Sequence, residues 1–144
     1  MPVTDGQVAA LRALLKDDIE QHKLLYAQLD RSAGKTGYMA LVAGAFCEAV
    51  ERRFSKDDRA EVIRFVGDVR ARSERLAREI DAQAAERIVR AVFGDGSIAD
   101  LDGGTIAGTE LLLLGAIVAD EQLDDARLDA FLASARKLAD QLMA

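Results

Sequence analysis

Apolar residues recur at three- and four-residue spacing along almost the whole chain, and no stretch alternates apolar with polar residues long enough to predict a strand. Val8, Leu11, Leu15, Ile19, His22, Tyr26 and Leu29 share one helical face, with Lys16, Asp17, Glu20, Lys23 and Arg31 opposite. Thr4 and Gln7 stand at capping-box distance just before them. This predicts a first helix over residues 5–31. Met39, Val42, Ala43, Phe46, Val50 and Phe54 predict a second over 37–54, with Gly34 in a left-handed turn before it and Thr36 as its cap.

Ser55 and Asp58 mark the start of a third helix with the stripe Val62, Phe65, Val66, Val69, Leu76 and Ile80. Ser73 interrupts that stripe, which leaves one long helix and two shorter ones equally open. Asp81 is placed to cap a fourth helix facing inward through Ala85, Ile88, Val92 and Phe93 and ending at Gly94. The turn-like stretch "GDGSIADLDGG" follows. A fifth helix, about 104–119, is apolar on nearly all sides, with Glu110 its only charged interior residue, and is expected at the centre of a bundle. Its Gly104, Gly108, Gly115 and Ala119 form a ridge of small residues that would let another helix approach closely. A sixth helix from Asp124 faces inward through Leu128, Phe131, Leu132, Ala135, Leu138 and Leu142. The expected fold is all-α: a compact bundle of five to six helices with a central apolar helix (about 104–119), in a single domain spanning 1–144.

Composition supports long helices, because the only proline among the 144 residues is Pro2. The net charge of −6 disfavours a phosphate backbone as partner. That charge is uneven: residues 1–51 carry a net −2, residues 52–90 +3 and residues 94–144 −7. The arginines of the middle segment, Arg64, Arg70, Arg72, Arg75 and Arg78, are interleaved with acids at i, i+4 spacing and with no aromatic residues for base stacking, so nucleic-acid binding is not expected. A membrane partner is not expected either, since the run "LLLLGAIVA" is half the length of about 18 residues that a bilayer needs. A single cysteine and no signal-like N-terminus point to the cytoplasm.

Gly34, Lys35 and Thr36 resemble the tail of a phosphate-binding loop, but the glycine such a loop needs five residues earlier is Leu29, on a helix. His22 and Cys47 are the only residues of their kinds. If the first two helices form a hairpin turning near residue 34, the two lie level, and an imidazolium beside a thiol would make a nucleophile or redox sensor. No third group is visible to orient the imidazole.

The acidic turns 94–102 and 119–127 share a frame in which Asp95 aligns with Asp120 and Ile98 with Leu123. Asp95, Asp100, Asp102, Asp120 and Asp124 are oxygen donors of the kind that hold Ca²⁺ or Mg²⁺. Neither turn is an EF-hand loop, because Asp100 stands where glycine is required and Ile106 where glutamate is required. The form Ala-Asp-Gly-x-Ile-Asp between helices resembles the motif of TerB-like domains, helical modules linked to tellurite resistance. Asp95, Gly96 and Ile98 match one copy, and Ala119, Asp120, Leu123 and Asp124 the other. The resemblance implies metal binding by those aspartates. Glu121 replaces the glycine of the second copy, Ala99 the second aspartate of the first, and Arg127 a usually acidic position.

The leading expectation is a non-enzymatic cytoplasmic helical module that binds another protein or a second copy of itself, with the acidic C-terminal third as a surface for a basic partner. A divalent-metal-binding helical domain is the alternative, and a thiol enzyme or redox sensor using Cys47 and His22 comes third. No organic cofactor is expected.

Overall fold

The computed structural model describes residues 2–29 and 33–143, so Arg31 of the first expected helix and Ser32 of the loop-like stretch lie outside the described residues. Among the described residues every regular element is helical. Eight helices follow in order: α1 Asp5–Leu15, α2 Ile19–Ala27, α3 Ala33–Arg53, α4 Arg59–Arg70, α5 Glu74–Glu79, α6 Ala82–Ala91, α7 Gly103–Glu121 and α8 Asp125–Met143. The all-α expectation holds, while the expected count of five or six is too low because two of the long helices are broken.

The first break falls at Asp17, whose φ of 61° is left-handed and ends α1. Asp18 then accepts from the Gln21 N–H and caps α2. Asp17, which reads as part of a solvated face, therefore forms a corner with Asp18. The second break falls at Ser73, an extended residue whose hydroxyl accepts from the Leu76 N–H to start α5. Gly34 departs from expectation in the other direction: α3 starts before it, and its carbonyl accepts from the Gln7 amide at 3.0 Å. Thr36 is accordingly inside a helix and caps nothing. Ser55 does not cap α4, which begins after Asp58 without a side-chain cap.

Two compact units divide the chain, one of Met1–Glu48 with Val118–Ala144 and the other of Ala49–Ile117. In the first, Leu11, Leu41, Phe46, Leu128, Phe131 and Leu132 are fully buried. The expected capping box forms: Thr4 accepts from the Gln7 N–H while the Gln7 side chain accepts from the Thr4 N–H. Residues before α1 are tied to α8, since the Val3 N–H donates to Asp140 at 2.7 Å and Arg136 donates to the Val3 carbonyl and to Asp5. Along α1, Arg12 pairs with Asp129 at 2.7 Å and Lys16 with Asp125 at 2.6 Å.

In the second unit, Val62, Phe65, Val66 and Val69 of α4 and Ala85, Ile88 and Val89 of α6 are buried, and Phe54 meets Phe65 edge-on at 5.3 Å. Arg70 of α4 donates to the carbonyls of Ala77 and Ile80, satisfying the last turn of α5.

At the α7–α8 corner Gln122 has a φ of 51°. A branched-free but bulky side chain in that region costs of order 1 kcal/mol, part of which glycine recovers. Gln122→Gly is expected to raise stability by about 0.5 kcal/mol in urea denaturation. A loss of stability would show that the Gln122 side chain holds the corner through contacts of its own.

Candidate functional site

His22 and Cys47 are not brought together. The Nδ1 of His22 lies 2.8 Å from the Ala10 carbonyl, which can only accept, so Nδ1 carries the proton. The ring stacks on Tyr26 at 5.7 Å and meets Tyr38 at 6.1 Å. Cys47 follows Tyr38 by nine helical residues, which places it about 13 Å further along α3 and on its opposite side. The sequence argument treated α1 and α2 as one straight helix; the corner at Asp17 removes its register.

Lys35, the lysine of the loop-like stretch, donates to the Tyr26 carbonyl at 2.6 Å and sits 3.5 Å above the Tyr26 ring. It closes a cluster of His22, Tyr26 and Tyr38. The Tyr38 hydroxyl is buried without a hydrogen-bond partner, and burial raises its pKa.

Four of the five candidate metal-binding aspartates, Asp95, Asp100, Asp102 and Asp124, are engaged locally. Arg59 donates to both oxygens of Asp95 at 3.2 and 3.1 Å. Arg87 donates to Asp100 and to the Ser97 carbonyl, latching the 94–102 loop, and its hydrogen bond holds the Asp100 carboxyl below the usual range. Asp102 accepts from the Thr105 hydroxyl and N–H at 3.0 Å, which lowers its pKa and caps α7. Asp124 accepts from the Arg127 N–H at 2.8 Å and caps α8, while Asp120 is exposed at the end of α7. Among the described residues, no group of three or more His, Cys, Asp or Glu side chains converges to hold a metal ion.

The acid of the C-terminal third is also met internally. Asp125, Asp129 and Asp140 each accept from a group on the N-terminal segment or α1, and the Lys16 ammonium holds the Asp125 carboxyl low. A basic partner would have to displace these contacts. Arg72, just after α4, pairs with Asp68, and Arg75 of α5 with Glu79, as the i, i+4 spacing predicts.

What the sequence reading missed is the open side of α7. This helix was expected to be enclosed. By length and composition it is apolar enough to cross a membrane, yet only 28% of that stretch is buried. Thr109, Leu113, Leu114, Ile117 and Val118 are its buried residues, whereas Gly104 and Gly108 are exposed and Ala107, Leu111, Leu112, Gly115 and Ala116 half-buried. A groove of about 330 Å³ runs beside it, lined by Glu79, Gly104, Thr105, Gly108, Leu111 and Leu112. A Cβ built on Gly108 or Gly115 would meet nothing within 4 Å. Uniform hydropathy carries no stripe, so the sequence does not say which side faces the interior. The ridge of small residues was the one available signal.

Comparison with family models, with curated protein sequences and with solved structures gave no match.

Proposed function

We propose that this chain is a non-enzymatic helical module that acts by contact with another protein chain, received on the open face of α7. The observation that carries the reading is an apolar helix with one side buried and the other without a neighbour at Gly108 and Gly115. Apolar helix faces in contact with water mark contact surfaces more often than solvated ones. The face presents leucines between small residues, with Glu79 of α5 at its edge, which suits a helix laid along it. A bilayer is less well matched, because α7 carries no Lys or Arg for anionic headgroups and ends in Asp120 and Glu121.

The test is a photo-activated benzophenone side chain at Leu112, irradiated in an extract of cells producing the full chain. A discrete adduct is expected, competed away by excess unmodified chain and absent when the same group replaces the exposed Glu74. Equal labelling from both positions, or no adduct from Leu112, would remove the basis for this function.

A further inference from the structure

We infer that α2 is a detachable strap: it comes away while the rest of its unit stays folded, held down by Lys35 and pushed off by the buried hydroxyl of Tyr38, so that loss of the Lys35 charge releases it.

The strap is lightly packed. None of the nine residues of α2 is buried, while Ile19 is 41% exposed and Leu24 61%. A segment with so little buried apolar surface opens ahead of the whole fold. The left-handed Asp17 stands at its N-terminal end, and an L residue in that region regains free energy when the chain lets go. The platform below is fixed without α2. Gln7 of α1 donates to the Gly34 carbonyl of α3, Gly37 leaves room for the same Gln7 side chain, and Arg12 and Lys16 tie α1 to α8.

Groups of opposite effect meet at the inner side of the strap. Lys35, on α3, donates to the Tyr26 carbonyl at 2.6 Å and stands 3.5 Å above the Tyr26 ring. Both contacts favour the closed position, as does the helix dipole, because Tyr26 lies in the last turn of α2. The His22 contact with the Ala10 carbonyl and the edge-on approach of Tyr26 to Tyr38 at 5.1 Å complete the hold.

Against them stands Tyr38. It is 3% exposed, with the rings of His22 and Tyr26 against its own, and its hydroxyl has no hydrogen-bond partner among the described residues. The Tyr26 phenol lies close enough to add to the burial that raises the Tyr38 pKa, which places the hydroxyl on the α2 side. A dry, unpaired hydroxyl costs free energy in the closed state alone, because lifting α2 gives it water. Phenylalanine would fill the same space without that cost. The hydroxyl therefore sets the closed state nearer to the open one, and the Lys35 charge decides between them.

The test is amide hydrogen exchange of the full chain at neutral pH, with urea raised in steps below the unfolding transition. Residues 22–28 are expected to exchange through an opening that urea barely changes. Val42, Phe46 and Leu132 should exchange through one that urea strongly favours, because urea sensitivity follows the surface exposed. Surface fluctuation of α2 alone would give the same pattern, so the variants decide. Tyr38→Phe should slow residues 22–28 about tenfold, since only a release that wets the hydroxyl is favoured by it. Lys35→Gln should speed them about tenfold, and Lys35→Arg, which keeps the charge and stacks on the ring, should not. Exchange of residues 22–28 that is unchanged in Tyr38→Phe, or as steep in urea as that of Phe46, would overturn the strap. Equal rates in the two Lys35 variants would overturn the charge as its release.

Discussion

Gly44→Ala is expected to destabilise the protein by about 2 kcal/mol, lowering the thermal midpoint by roughly 6–8 °C. The glycine lies on α3 where α8 crosses it. An added Cβ would stand 2.8 Å from the Ala135 carbonyl oxygen, 3.0 Å from the Ala139 nitrogen and 3.1 Å from the Ala139 Cβ. Two of these neighbours are backbone, so relief requires α8 to move as a body, taking the fully buried Phe131 and Leu132 with it. Against this stands the helix preference for alanine, worth about 1 kcal/mol in the opposite direction. The control separates the two effects: Gly108→Ala, with open space around its Cβ, is expected to stabilise by about 0.5–1 kcal/mol. The same substitution thus changes sign between two helices of one protein. Urea denaturation of both variants decides the matter, and equal effects would mean that α8 yields freely at the crossing.

Local signals were legible and distant ones were not. Thr4 with Gln7, Asp81 with Ala84 and Asp124 with Arg127 are caps whose partners lie three residues away, within reach of a pattern argument. The corner at Asp17 was not legible. A short acidic residue adopts a left-handed φ only when the elements on both sides dictate it, and the helical stripe runs unbroken across residues 15–22. Gly34 misled for the converse reason, since a glycine in a polar stretch reads as a turn until a distant Gln7 claims its carbonyl.

The acidic turns show the same limit at the level of the site. Asp95 and Asp100 read as a ligand cluster because Arg59 and Arg87, which hold them, come from α4 and α6. Likewise, a −7 C-terminal third suggested an electrostatic surface, whereas Arg12 and Lys16 take up part of that charge within the fold. What remained after these pairings was the side of α7 that carries Gly108 and Gly115. Its glycines were visible in the sequence, but their open surroundings were not.

Glu110 gives the second large effect, and its sign follows from burial. It sits half-buried on α7, and burial pushes its carboxyl from the ordinary 4.5 up to about 7. Between those values the folded chain binds a proton that the unfolded chain has released. The stabilising contribution is therefore complete below about pH 4.5 and lost as the pH rises through 7. Above pH 8 the carboxylate is ionised in both states, and the folded state carries the full desolvation penalty. The shift would correspond to about 3 kcal/mol for a dry group; partial hydration reduces this to about 1–2 kcal/mol. Glu110→Gln is accordingly expected to be more stable than wild type by about 1–2 kcal/mol at pH 8.5 and equal to it at pH 4.5. Glu61, held low chiefly by its hydrogen bond from Arg53, and Asp125, held low chiefly by Lys16, act in the opposite direction and in a lower window, losing their contribution as the pH falls through their depressed values. They are present in both proteins, so they cancel in the difference between wild type and Glu110→Gln. Urea unfolding of both at half-unit steps from pH 4.5 to 8.5 isolates Glu110: a difference that grows through pH 5–7 supports the buried carboxyl, and a constant one would place Glu110 in water.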